Sequence, residues 1–360
     1  MAETTFSPVS PRRRLHIERV ASPLWVQVLI PVFAIGLALL IMTVLILMAG
    51  ANPLDSFYYL LIEPITTRNG VMDVLVKATP ILFTGLAVLI AFSGGYFNIG
   101  AEGQLLAGAI AAAGLGITLK DQPAIMVIPT ILAVGFVAGM AWALLPALLR
   151  AYLHVDEVVT TLLMNSIMGL GLAGLLTGPW REPSGWPRTP MIPEAVRLPR
   201  IAPPSRLRAG LLIGIAVAVV LWVVLRRTSF GVRLRAVGLG PKAATFLGIN
   251  VPRTLLSAAL LSGGIAGLAG TTEILGIQGR LIAESSPGYG YSGVVVAMLG
   301  GLSAPGVVVA AIFLALIEAG ELALSQALNV PPYLGDVAQA VILLTMLVCL
   351  LLTRYRLRWR

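Results

Sequence analysis

The sequence predicts an all-α, polytopic membrane protein of about ten transmembrane helices, with broken or re-entrant helices in each half. Three observations predict it. Hydrophobic residues make up 58% of the 360, charged residues only 11%, and the mean hydropathy is +0.92; a soluble domain carries about 25% charged residues. Apolar runs recur along the whole chain at the length a bilayer demands, about 20 residues. Most Lys and Arg collect in short segments flanking those runs, as membrane orientation requires.

That distribution accounts for the net charge of +9, so nucleic acid is not an expected partner. Cys349 is the single cysteine, which excludes an intrachain disulfide. His16 and His154 are far apart in sequence, which argues against a His-based metal site or a Ser/His/Asp triad. No metal, cofactor or catalytic residue is expected on this chain. It has no GxxxxGK[ST] loop, so it does not bind ATP through one.

Residues 1–23, with Arg12, Arg13 and Arg14, read as a cytoplasmic segment. The first apolar run, 24–49, is too long for a signal-peptide core and reads as a membrane helix. An interfacial helix is expected within 52–69, where Phe57, Tyr58 and Tyr59 suit the headgroup region. Further segments follow at 71–92, through the next polar stretch to 118, and at 124–149. Lys120 to Pro123 reads as a turn and Arg150 to Glu157 as a polar connection. Asp156 and Glu157 suit an N-terminal cap for the segment at 158–178.

Residues 179–208 hold eight prolines and read as an external loop. Segments at 209–225, 255–277, 288–303, 305–326 and 334–353 complete the transmembrane domain, 24–353. The basic connection 226–254 and the basic tail 354–360 fall on the cytoplasmic side with the N-terminus. One region runs against the charge rule: 179–208 carries six Arg and two Glu.

The most informative stretch is 93–104. It sets Gly94, Gly95, Gly100 and Gly103 beside Phe97, Asn98, Glu102 and Gln104, between two apolar runs. Unpaired polar and backbone groups in hydrocarbon cost several kcal/mol each. Such a stretch belongs against protein or a water-filled path. Asn98 and Glu102 share a helical face. They either wall a solute path or hold the kink by bonding neighbouring helices. Asn165, polar and mid-segment, is a further path residue. Gly288-Tyr289-Gly290-Tyr291 opens a second glycine-rich segment and adds Tyr289 and Tyr291. Paired broken helices in two halves point to a transport site near the midplane.

In the basic connection, Gly240-Pro241 suits a helix start and Gly248 a stop. The short helix would show Phe246 and Leu247 beside basic residues. That suits docking into a partner's groove or lying on lipid. Glycines 263 and 267 permit close helix packing, and Gly169, Gly171 and Gly174 read likewise. Glu273, Glu284, Glu318 and Glu321 lie in or beside apolar segments, where a carboxylate is a functional hypothesis; Glu273 suits snorkelling from a helix end.

The run Phe97-Asn98-Ile99-Gly100-Ala101-Glu102-Gly103-Gln104 resembles the signature of permease subunits of ABC importers for nucleosides. These belong to the wider nucleoside, simple sugar and branched-chain amino acid permease family. Ala236, Gly238, Pro241, Ala243, Ala244, Gly248 and Ile249 resemble that family's coupling helix. The resemblance covers about residues 70–350. It implies an importer in the bacterial cytoplasmic membrane, with Arg235 to Ile249 contacting a separate ATP-binding subunit that holds ATP and Mg. It implies a second, different permease chain and an external substrate-binding lipoprotein. Ribose-like sugars or branched-chain amino acids are alternative substrates. A proton-coupled transporter using Glu318 or Glu321 is the alternative of another class.

Overall fold

A computed structural model describes residues 15–19, 24–48, 50–328, six positions between 337 and 348, and 355–359. Two units separate by their contacts, Ala51–Asp336 and the joined ends Met1–Gly50 with Val337–Arg360. The joined ends hold helix α1, Leu24–Met48, where the first apolar run was expected. They also hold two strands the sequence did not announce. Strand β1, Leu15–Arg19, pairs antiparallel with β2, Tyr355–Trp359, with Ile17 opposite Leu357. The last expected segment, 334–353, lies largely outside the described residues.

The larger unit is helical. Among the described residues, seven helices are long and apolar enough to cross a bilayer. They are α2 (Arg68–Ser93), α3 (Ala101–Thr118), α4 (Ala124–Leu153), α5 (Glu157–Thr177), α6 (Gly210–Arg227), α9 (Val251–Glu273, continued to Gln278) and α11 (Ala304–Leu328). Two short helices, α7 (Ser229–Leu239) and α8 (Pro241–Phe246), fill the basic connection, and α10 spans Tyr289–Leu299. Residues 53–66 form an interrupted helical stretch, Pro53–Phe57, Tyr58–Ile62 and Glu63–Thr66. The chain is therefore a polytopic helical membrane protein.

Local chemistry sets the ends. The Thr67 hydroxyl accepts from the Gly70 N–H at 3.0 Å and opens α2. The Asn250 side chain opens α9 by accepting from the Arg253 N–H at 3.0 Å. Asp156 opens α5 by accepting from the Val158 and Val159 N–H groups. Each oxygen replaces an intrahelical acceptor that the first turn lacks.

The core is built round α9, which packs on α4, α3 and α2. Backbones touch there because glycines face each other. A side chain at Gly267 would strike the Gly135 carbonyl, one at Gly263 the Gly139 carbonyl, and one at Gly270 the Leu105 carbonyl. Without a hydrophobic drive between helices in lipid, such close van der Waals approach is what holds them.

The structure corrects four expectations. The polar connection is shorter: α4 runs through Arg150 to Leu153, and His154 turns the chain at φ 56°. The basic connection is mostly helix, α7 and α8. At Gly169, Gly171 and Gly174 a side chain would meet nothing within 4 Å, so among the described residues they pack against no other helix. They lie on α5, whose outer face also shows Leu163, Ile167 and Leu170. The segment expected at 288–303 is a helix of only 11 residues, about 16 Å long, against a hydrocarbon core of about 30 Å. Residues 279–288 lead into it without regular helix.

Candidate functional site

The sequence break between α2 and α3 is a real break in the backbone. Gly94 closes α2, Gly95 turns at φ 75°, and α3 restarts at Ala101. The break leaves orphan carbonyls and N–H groups in the protein's apolar interior, and each must find a partner.

Asn98 is fully buried and Gln104 nearly so. Their amides face each other: Asn98 Nδ2 donates to Gln104 Oε1 at 2.8 Å, and Gln104 Nε2 donates to Asn98 Oδ1 at 3.1 Å. Asn98 Nδ2 also donates to Ser262 Oγ on α9 at 2.8 Å, and Asn98 Oδ1 accepts from the Gly100 N–H at 2.9 Å. The Ser262 hydroxyl donates to the Ala87 carbonyl of α2 at 2.6 Å. One amide pair thus ties α2, α3 and α9 across the break.

Asn165 serves the same break from α5. Its Oδ1 accepts from the Gly103 N–H at 2.8 Å, and its Nδ2 donates to the Ile99 carbonyl at 2.9 Å. The same Nδ2 reaches the Tyr291 hydroxyl at 3.3 Å. The second glycine break therefore meets the first.

Glu102 makes that meeting direct. It lies in the first turn of α3, and its Oε2 accepts from the Gly290 N–H, in the first turn of α10, at 2.7 Å. Helix N-termini carry about half a positive charge each. A single buried carboxylate at two of them is stabilised by both. Gly290 is required for the approach: a Cβ there would land on the Glu102 backbone. On the other side the Thr84 hydroxyl of α2 donates to the Tyr289 carbonyl at 2.8 Å.

Of the residues singled out from sequence, Asn98, Glu102, Gln104, Asn165 and Tyr289 are thus buried at the junction. Phe97 and Tyr291 are there too, but half exposed, at 50% and 45%. Phe97 packs edge-on against Phe92, with ring centroids 5.1 Å apart.

Sequence reasoning missed three contributors. Ser262 and Thr84 gave no signal, because their partners are far away in the chain. Glu157 was read only as a cap. Instead its Oε1 accepts from the Phe97 N–H at 3.2 Å, and its Oε2 pairs with Arg150 Nε at 2.9 Å. Arg150 and Glu157 are close in sequence, so that pair was findable.

The basic connection reaches the same place. Leu234 of α7 is fully buried, and its Cδ1 lies 2.6 Å from where a Cβ of Gly94 would be. Gly238 sits on the Gly94–Gly95 turn, where a Cβ would lie 3.2 Å from Gly95 N and press on the Ser93 carbonyl. Gly240 then gives the N-cap, Pro241 the first residue of α8, and Gly248 turns at φ 75°. Ala244 is the buried side of α8, while Phe246 is 93% and Leu247 76% exposed. Leu239 adds to this apolar knob, with Arg235 and Ala243 also exposed. Ile249 is half-buried, and its N–H returns to the Ala244 carbonyl at 3.0 Å.

Residues 178–209 are laced to 275–282. The Thr189 N–H donates to the Leu281 carbonyl at 3.0 Å and the Leu198 N–H to the Leu275 carbonyl at 3.1 Å. Arg208 holds Glu194 through both carboxylate oxygens, at 2.7 and 3.0 Å. That pairing keeps the Glu194 carboxyl below the usual carboxylate range, and Arg188 does the same for Glu182. Glu273 is buried and accepts from Gln278 Nε2 at 3.0 Å, so it does not snorkel.

Known proteins are similar in sequence along most of the chain. The glucose ABC transporter permease protein TsgB13 of Haloferax volcanii is 34% identical, over 93% of this chain and 90% of its own. The guanosine ABC transporter permease protein NupP of Bacillus subtilis is 33% identical, over 88% and 92%. The nucleoside ABC transporter permease protein NupB of Lactococcus lactis is 29% identical, over 88% and 90%. No solved structure matches the chain. A permease component is the transport part of an ABC system and not its catalytic part; ATP is handled by a separate ATPase. Residues 70–350 match the family described as branched-chain amino acid transport system, permease component, and the chain belongs to that family.

Proposed function

We propose that this chain is the permease subunit of an ATP-driven importer for nucleosides in the bacterial cytoplasmic membrane. It crosses the bilayer ten times, with both termini inside. Residues 279–288 and α10 together make the eighth crossing. The observation that carries the reading is the backbone contact of Gly238 with the Gly94–Gly95 turn. It joins an exposed apolar knob, fit for a partner's groove, to the break where two half-helices meet.

In this reading Phe246 and Leu247 dock the ATPase, and α7 carries its motion to the turn. Phe97 and Tyr291 face the solute path and offer ring faces to a nucleobase. Asn98, Glu102, Gln104, Asn165 and Tyr289 keep the junction in shape behind them. A second, different permease completes the path, and an external binding lipoprotein delivers the solute. Bacillus subtilis supplies two relatives, both guanosine permease proteins, NupP and NupQ, which supports the two-chain arrangement.

A sugar substrate is the second reading, favoured by the 34% identity to the glucose permease protein. The test is uptake of labelled guanosine, adenosine, uridine and glucose in cells with and without this chain. Nucleoside uptake that needs both the chain and ATP is the expected result. Glucose uptake alone moves the substrate and keeps the machine. Uptake that survives ATP depletion and stops when the proton gradient collapses overturns the importer.

A further inference from the structure

Four of the six arginines in residues 179–208 are spent in ion pairs, Arg188 with Glu182, and Arg197, Arg200 and Arg208 with Glu194. Arg181 is in no ion pair among the described residues, and it lines a cavity of about 580 Å³. The cavity runs along the C-terminal half of α3, from Ile110 to Thr118, with Val134 of α4 and the 179–190 stretch as its other walls. Its volume is within the range of about 300–1,000 Å³ usual for small-molecule sites. Eight residues of helical rise make it about 12 Å long, close to one leaflet of a hydrocarbon core of about 30 Å.

The walls are mostly apolar, and both lining hydroxyls already make hydrogen bonds. Thr118 Oγ1 donates to the Gly114 carbonyl at 2.9 Å, and Thr189 Oγ1 accepts from the Leu281 N–H at 2.9 Å. A nucleoside or a sugar would lose water from its hydroxyls there with little return; a hydrocarbon chain needs no partner. Trp180 lays its indole on α3 where Gly114 leaves room, since a Cβ there would come within 3.0 Å of the ring. Arg181 is exposed, and its Nε donates to the Gly185 carbonyl at 2.7 Å. That bond fixes the guanidinium and leaves both Nη groups without a partner among the described residues. The adjacent Glu182 is taken by Arg188 at 2.6 Å and by Ser184 at 2.7 Å, so it does not neutralise Arg181. A fixed guanidinium suits a phosphate, and Trp suits the boundary between hydrocarbon and headgroups.

We infer that this cavity seats an anionic phospholipid, with one acyl chain along α3 beside Trp180 and the phosphate on Arg181. The inference rests only on the chain's crossing a bilayer and is independent of the solute it carries. A lipid seated here also braces the stretch that leads into α10. Thr189 of the cavity wall is tied to Leu281 twice, through its own N–H and through its hydroxyl.

The experiment uses the full complex in mixed micelles. The probes are phosphatidylglycerol and phosphatidylcholine brominated on the acyl chain, which quench tryptophan fluorescence on contact. Brominated phosphatidylglycerol is expected to quench more emission than brominated phosphatidylcholine at equal concentration, and the extra quenching should vanish in Trp180→Phe. Arg181→Gln should raise the phosphatidylglycerol concentration needed for half-quenching by about tenfold. Arg181→Lys, which keeps a charge for the phosphate, should recover part of that loss. A melting midpoint in phosphatidylcholine equal to that of the unaltered chain shows each variant to be folded. Equal quenching by the two lipids overturns the seat, as does an unchanged half-quenching concentration in Arg181→Gln. Displacement of the lipid by guanosine or glucose also overturns it and makes the cavity a solute site. Displacement by inorganic phosphate alone overturns it too, because an anion site needs no acyl chain.

Discussion

Side chains at the junction divide by exposure into those that hold and those that face outward. Asn98 and Gln104 spend their amides on each other, on Ser262 and on the Gly100 backbone. Asn98→Ala strands three of those groups, at about 1–3 kcal/mol for each one left without a partner. We expect a clearly lower melting midpoint in detergent, with uptake lost in proportion to folded protein. Phe97 and Tyr291 are half exposed, so truncating them removes little buried surface. Phe97→Ala and Tyr291→Ala should leave the melting midpoint near the unaltered value and cut nucleoside uptake. Unchanged uptake in both would move the path away from these rings.

At the scale of elements, α8 is short and shows its apolar end to solvent. Replacing Phe246 and Leu247 together by Asp should release the ATPase while the permease still reaches the membrane; retained ATPase in a pull-down would refute the docking role. The 178–209 segment carries a pH dependence with a defined sign. Glu194 and Glu182 titrate below the ordinary carboxylate value, so their stabilisation is complete above about pH 4.3. It is lost as pH falls through their depressed values. Amide exchange at Leu198 and Ile192 should be flat from pH 7 down to that point, once corrected for intrinsic rates. Below it, exchange should accelerate.

These elements also show what a sequence reveals. The bounds of α8 were legible because Gly240, Pro241 and Gly248 act on their own neighbours. The two breaks were legible because glycines and polar residues interrupt apolar runs. The brevity of α10 was not, since 279–288 is held by distant partners such as Thr189. Gly263 and Gly169 look alike in sequence; one faces Gly139 and the other faces nothing among the described residues, and only tertiary structure tells them apart. Asn98 could be singled out, but its partner Ser262 could not.

For the whole molecule, Gly238 is where α7 touches the Gly94–Gly95 turn, and in the proposed reading that contact joins the docking end to the path. Gly238→Val would drive a side chain into the Ser93 carbonyl and part α7 from the turn. We expect the ATPase to stay bound and to hydrolyse ATP, with less solute carried per ATP. Equal transport per ATP would mean that motion reaches the path by another route.

The central position of α9 governs how the protein can be made. Its residues, 251–273, leave the ribosome after α2 to α5, yet Ser262 supplies a bond to Asn98 and the α9 glycines fill the faces of α3 and α4. Until α9 is inserted, the Asn98–Gln104 pair lacks an anchor in hydrocarbon, where unmet hydrogen bonds are expensive. We expect the earlier helices to stay with the insertion machinery until α9 arrives, which crosslinking of ribosome-bound chains halted before and after Val251 would test. A chain halted before Val251 would be a substrate for membrane quality control rather than a smaller transporter.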